Sequence, residues 1–138
     1  MARPAILFVC LGNICRSPMA EGAFRLAAQD AGLDVEIESA GTGDWHVGNP
    51  PDHRAQATAL RYGADISRYA ARQVEPEDFH YFTHIFALDH SNLADLQAMA
   101  PVDARAELAL LLDLVEGRQG GAIGDPYYGG DEGFERTW

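Results

Sequence analysis

Cys10 and Arg16 stand six positions apart in the segment Val9-Cys-Leu-Gly-Asn-Ile-Cys-Arg-Ser-Pro18. At that separation one tight loop can present a thiol and a guanidinium to the same anion. Gly12 and Asn13 tolerate left-handed backbone, and Ser17-Pro18 pairs a strong helix N-cap with a residue suited to the first helical position. A loop of Leu11, Gly12, Asn13, Ile14 and Cys15, closed by Ser17, would therefore turn successive N–H groups toward one point at the positive end of a helix, a site for a phosphate-sized anion. Arg16 would match two of the anion's oxygens with its planar fork. The same positive field favours the thiolate over the thiol, so Cys10 is placed to attack phosphorus. Ser17 could aim its hydroxyl at the sulfur and ease its departure when a phosphocysteine breaks down.

Two other readings of the segment are weaker. A cysteine after five apolar residues can be a plain core residue, but strand, turn, arginine and helix start agree here in order. A nucleotide-binding loop of similar shape needs Gly-Lys-Ser/Thr, and the chain contains no lysine.

The elements that would carry this loop follow from the surrounding pattern. Ala5–Val9 is an apolar run suited to a buried strand, and Ser17–Ala31 reads as a helix. A strand over Val35–Ser39, a Gly/Pro/Asn-rich loop over Gly41–Pro51 and a helix over Asp52–Tyr62 come next. After a short helix near Pro76–Phe79 come a strand over Ile85–Leu88 and a helix over Ser91–Met99. Strands alternating with helices imply a parallel sheet covered on both faces, with ligands at the carboxyl ends of the strands. Ala106–Leu114 is ambiguous: its composition favours helix and its position favours strand.

The 138 residues suit one domain, and the net charge of −11 argues against nucleic acid or an acidic lipid surface as partner. It does not argue against phosphate in a pocket whose field is set locally. The apolar runs are too short for a membrane span or a signal peptide. Two cysteines, one in a reactive setting, fit a reducing compartment, so a cytoplasmic location is expected. His80 and His84 have the spacing of metal ligands on a helix, but Phe82–Phe86 reads as a strand entry, and no metal or cofactor is implied. His46 is read as an exposed loop residue.

Past the loop, Ser39-Ala-Gly-Thr42, Asp44-Trp-His-Val-Gly48, Pro51-Asp52, Ala71-Arg-Gln73, Glu77-Asp-Phe79, Ser91-Asn-Leu93 and Asp125-Pro-Tyr-Tyr-Gly129 occur in order. With the Cys-x5-Arg segment they resemble the low-molecular-weight protein tyrosine phosphatases over most of the chain. The resemblance implies a single α/β domain with a four-stranded parallel sheet, helices on both faces and the phosphate-binding loop after the first strand. It makes Ala106–Leu114 the fourth strand. It implies hydrolysis of phosphotyrosine in protein substrates, with Cys10 as nucleophile, Arg16 binding phosphate and Asp125 as general acid. Asn13 and Ser17 would hold the loop's hydrogen bonds, while Leu11, Trp45, Tyr127 and Tyr128 wall the substrate pocket. The chemistry asks for Asp125 in its own right, because a phenolate leaves poorly unless protonated.

The resemblance has two departures. The family often has a histidine ahead of Ala-Arg-Gln that supports the loop asparagine, and Tyr69 stands there instead as the candidate replacement. The family normally ends in a helix packed on the sheet, whereas this sequence stops at Trp138, so a missing or shortened C-terminal helix, and either a monomer or weak self-association, are expected. An arsenate reductase would need further cysteines beyond Cys15, and there are none. A non-catalytic phosphate-binding module would not need Cys10, Arg16, Ser17 and Asp125 all intact. Cys15 is also a candidate redox partner that could capture an oxidised Cys10 as a disulfide.

Overall fold

The computed structural model describes residues 4–14, 16–43 and 46–111. Four strands, β1 (Ala5–Cys10), β2 (Glu36–Gly41), β3 (His84–Ala87) and β4 (Glu107–Leu110), form one parallel sheet in the order β2-β1-β3-β4. Parallel neighbours cannot be joined by hairpins and need crossover connections. Helix α1 (Arg16–Ala31) lies between β1 and β2, and α4 (His90–Met99) lies between β3 and β4. Between β2 and β3 run α2 (His53–Arg61) and the single turn α3 (Asp78–Tyr81).

The period-two alternation of β1 divides the core. Leu7 and Val9 pack on one face with Phe79 and Phe82 from α3 and its flank, Ile85 of β3 and Leu96 of α4. Phe8 and Cys10 point to the other face, where Ala20, Phe24 and Ala28 of α1 cover them together with Phe86. Helices therefore cover both faces, as the alternation of strands and helices requires. Each fully buried leucine or phenylalanine here contributes about 1.5–3 kcal/mol of transfer free energy. A third cluster joins Ile14 and Met19 to Ala55 and Ala59 of α2 and to Ile66, anchoring the helical end of the loop.

The fourth strand is observed: Leu108 and Ala109 pair in parallel with Ile85 and Phe86, so sheet pairing overrides the helical composition of that segment. One local expectation is corrected. Helix α1 begins at Arg16, which places Ser17 inside the first turn instead of at the cap, with its hydroxyl committed to tertiary partners. Of Gly12 and Asn13, only Asn13 adopts the left-handed conformation, with φ 57°.

Candidate active site

The loop grows directly out of the sheet. Cys10 is the last residue of the central strand β1, paired in register with Gly41 at the end of β2. The carbonyls of Cys10 and Leu11 accept hydrogen bonds from the N–H groups of Thr42 and Gly43, each at 2.9 Å. The C=O and N–H of one peptide unit point opposite ways, so the N–H groups of Leu11 and Gly12 face away from residues 42–43. The chain then turns back through Asn13, whose own N–H lies 3.3 Å from Cys10 Sγ. Asp52 N–H, 2.7 Å from the Ile14 carbonyl, pins the far side of the loop to the start of α2.

Gly41 is required by this approach. A Cβ there would lie 2.7 Å from the Leu11 carbonyl oxygen and 3.1 Å from Asn13 N, both backbone atoms with little room to yield. A Cβ on Gly12 would meet the His46 ring at 3.0 Å, so His46 is half-buried against the loop, not the exposed residue expected from its loop setting.

Around the sulfur the side chains form a connected network. Ser17 Oγ is 3.0 Å from Cys10 Sγ, and both residues are buried. Asn13 Nδ2 donates to Ser17 Oγ at 2.8 Å and to Ser39 Oγ at 3.0 Å. Asn13 Oδ1 accepts from the backbone N–H of Arg72 at 3.0 Å. Arg72 is locked in turn by two hydrogen bonds to Asp78, at 3.0 and 3.1 Å. Burial alone would lower the pKa of Arg72, but the hydrogen bonds and charge of Asp78 outweigh it and raise it. Arg16 is almost fully buried, and its Nη1 lies 2.5 Å from Asp89 Oδ2. Asp89 caps α4 by accepting from Asn92 N–H at 2.8 Å.

The structure thus brings together Cys10, Leu11, Gly12, Asn13, Ile14, Arg16 and Ser17. Cys15, Trp45, Asp125, Tyr127 and Tyr128 lie outside the described residues, as does the C-terminal end, where the covering helix was expected to be missing or shortened. No hydrogen bond joins Tyr69 to Asn13. Tyr69 packs beside the Ile14 and Met19 cluster with its ring facing the Arg25 guanidinium at 5.9 Å, and Ser39 with Arg72 supports the asparagine instead. Burial and the nearby Glu21 charge raise the Tyr69 phenol above its ordinary pKa.

Asp89, Ser39, Glu21, Arg72 and Asp78 were not among the expected site residues. Ser39 and Arg72 lie inside the shared sequence segments, and Asp89 follows β3 at the carboxyl edge of the sheet, where ligands are expected. His80 sits near Asp103 and His84 near Glu107, on separate elements. No cluster of three potential metal-ligating side chains occurs among the described residues. No described helix is long and apolar enough to cross a membrane.

Comparison with known proteins gives this geometry a lineage. Residues 5–138 match the family model described as low molecular weight phosphotyrosine protein phosphatase. The chain is 44% identical over 132 residues to the Schizosaccharomyces pombe protein of that description, covering 94% of this chain and 84% of the relative. It is 40% identical over 140 residues to the Homo sapiens protein, covering 99% and 88%. The crystal structure of YfkJ from Bacillus subtilis superposes with a TM-score of 0.91 at 41% identity, covering 99% of this chain and 86% of that one. The match spans the loop, the whole described sheet and the segments that support them, so the chain belongs to the low molecular weight phosphotyrosine protein phosphatase family.

Proposed function

We propose that the protein hydrolyses phosphotyrosine in protein substrates, and small aryl phosphates, through a phosphocysteine intermediate on Cys10. The observation that carries this reading is the environment of Cys10 Sγ. The sulfur sits at the end of a central strand with the Ser17 hydroxyl at 3.0 Å and the Asn13 N–H at 3.3 Å, and the guanidinium of Arg16, at the end of the same loop, is held in place by Asp89. Donors aimed at a sulfur stabilise its thiolate, the nucleophilic form.

In the proposed reaction the substrate phosphate rests in the curl of the loop, on the N–H groups of Leu11 and Gly12 and on the Arg16 fork. Such preorganised donors stabilise the charge spread over the transferring group's oxygens. The Cys10 thiolate attacks phosphorus in line as the P–O bond to the tyrosine oxygen breaks, and Asp125 protonates that oxygen. Trp45, Tyr127 and Tyr128 are assigned to the walls around the substrate ring. In the second step Asp125, now a carboxylate, takes a proton from water. The water oxygen attacks phosphorus, and the P–S bond breaks to release phosphate and the thiolate, whose return is eased by the Ser17 hydroxyl. No step calls for a metal ion.

Cys10→Ser tests the reading. It is expected to abolish hydrolysis of para-nitrophenyl phosphate and of a phosphotyrosine peptide while retaining phosphate binding, because the loop donors remain. Turnover by the Cys10→Ser protein, or loss of wild-type activity with EDTA that a divalent metal restores, would overturn it.

A further inference from the structure

Strand β2 lies at an edge of the sheet. In parallel pairing alternate residues turn both N–H and C=O to the same side. Glu36 N–H bonds to the Pro4 carbonyl and Thr42 N–H to that of Cys10, so the even-numbered residues of β2 face β1, while Ile37, Ser39 and Gly41 face outward. Gly41 is covered: its N–H reaches the Arg72 carbonyl and its own carbonyl accepts from Val74 N–H, each at 2.8 Å. The covering chain then leaves the edge, because Ala71 pairs with Gly48 and Asn49 and the Arg72 N–H goes to Asn13. Arg25 donates to the Ile37 carbonyl. Among the described residues nothing pairs with the Ile37 N–H or with the N–H and C=O of Ser39. Both residues are buried, and they open onto a groove of about 490 Å3 lined also by Glu21, Arg25, Val35, Glu38 and Tyr69. Buried main-chain groups call for a partner.

The side chains along the groove define what that partner carries. Alternation puts Glu36 and Glu38 on one face of β2 and Val35, Ile37 and Ser39 on the other. On the second face the charges are already matched: Glu21 accepts from Ser39 Oγ at 2.7 Å and from Arg25 at 2.8 and 3.0 Å. What remains there is apolar, with Val35 packed on the Phe8 cluster and the Tyr69 ring half-buried. The first face is acidic. Arg72 is bonded to Asp78 and lies 3.7 Å from Glu38, so the two carboxylates share one guanidinium, and Glu36 accepts from the Tyr81 hydroxyl. Burial raises the Glu38 carboxyl above its ordinary pKa; Arg72 works against this, and the charges of Glu36, Glu21 and Asp78 add to the rise.

We infer that the open edge of β2 binds an extended basic segment of a partner protein, added as a short strand with Lys or Arg at alternate positions opposite Glu36 and Glu38 and apolar residues between them. An added strand has the same two-residue period as β2, so one register serves both faces. A second copy of this chain does not fit. Two β2 edges paired about Ile37 would set Glu36 and Glu38 of one copy against the same residues of the other, and like charges opposite each other are destabilising. The same repulsion excludes an acidic segment.

The test titrates the full chain with a short, capped, fluorescently labelled peptide of alternating Lys and Val, and follows amide hydrogen exchange in the complex. Saturable binding is expected, with exchange at Ile37 and Ser39 slowed about tenfold or more. Glu36→Gln combined with Glu38→Gln should weaken binding about tenfold, the scale of two cross-strand charge pairs. If that double variant does not fold, Glu38→Gln alone replaces it, with about a threefold loss expected. Methylating every backbone nitrogen of the peptide keeps its charge but removes its donors, so affinity should again fall about tenfold or more. Replacing its Lys by Glu should abolish binding. No saturable binding at millimolar peptide would overturn the inference and leave the glutamates as edge protection only. Equal binding of the methylated peptide, or binding without slower exchange at Ile37 and Ser39, would also overturn it, as general attraction to a chain of net charge −11.

Discussion

Arg16 Nη1 and Asp89 Oδ2 are 2.5 Å apart although 73 positions separate them in sequence, and the contact ties the first turn of α1 to the cap of α4. A guanidinium held this way is presented to a ligand in one orientation, which lowers the ordering cost of binding. Asp89 has two tasks, one on each oxygen: the ion pair and the cap to Asn92. Asp89→Asn separates them, because asparagine caps helices about as well as aspartate. Asp89→Asn is expected to lower kcat/KM for aryl phosphates about tenfold with little change in melting temperature. Arg16→Lys should cost about a hundredfold or more, since an ammonium cannot reproduce the fork. Steady-state kinetics with thermal melts on both variants check this.

If Asp125 protonates the leaving oxygen, its effect depends on how much help that oxygen needs. Asp125→Asn should slow hydrolysis of phosphotyrosine far more than that of an ester with a strongly acidic phenol. Activity on a graded series of aryl phosphates measures the difference, and equal losses across the series would remove Asp125 from the role.

Gly41 lets β2 approach the loop, and its missing Cβ is the reason. Gly41→Ala forces a contact of 2.7 Å with the Leu11 carbonyl, so either the loop or the strand end must move. Overpacking of this kind costs about 1–3 kcal/mol. The movement falls on the donors around the sulfur, so kcat/KM should drop together with the denaturation midpoint. A variant that lost stability but kept full activity would contradict this.

Asp52 caps α2 by accepting from Arg54 N–H at 2.8 Å. Burial works to raise the pKa of its carboxyl, but hydrogen bonds from the Arg54 side chain and backbone outweigh it and hold it below the ordinary aspartate value. A carboxyl whose folded-state pKa is depressed contributes stability that is fully present above its unfolded pKa and is lost as pH falls through the folded one. Asp52→Ala is therefore expected to cost about 1 kcal/mol at neutral pH. The gap between wild type and variant should close in the acid range, as urea melts across pH can show.

Peroxide is expected to oxidise Cys10 to a sulfenic acid, which the Cys15 thiol captures as a disulfide with loss of water. Net, two thiols lose two hydrogens to peroxide, so the intact mass falls by about two units, and dithiothreitol restores activity. Cys15→Ser should gain oxygen instead and recover less. Equal recovery in both proteins would make Cys15 a packing residue only.

The sequence by itself determined what is local. The apolar run Ala5–Val9, the Gly-Asn turn and the residues Cys10, Arg16 and Ser17 lie within one strand-loop-helix unit, so their proximity follows from backbone geometry over a few residues. The alternation of Leu7 and Val9 with Phe8 and Cys10 likewise implied two covered faces. Ala106–Leu114 showed the limit of that reading, because composition favoured helix and only pairing with β3 makes Glu107–Leu110 a strand. The use of the Ser17 hydroxyl was also beyond it: a serine before a proline looks like a cap, and only the tertiary fold places Cys10, Asn13 and Ala40 around it. Arg16 with Asp89, Asn13 with Ser39 and Arg72, and Ser39 with Glu21 were decided by the strand order β2-β1-β3, which brings three strand ends to one edge of the sheet. Those partners come from separate elements, and no periodicity along the chain encodes which strand will lie beside which. The order emerges only when crossover helices must cover both faces of one sheet at once.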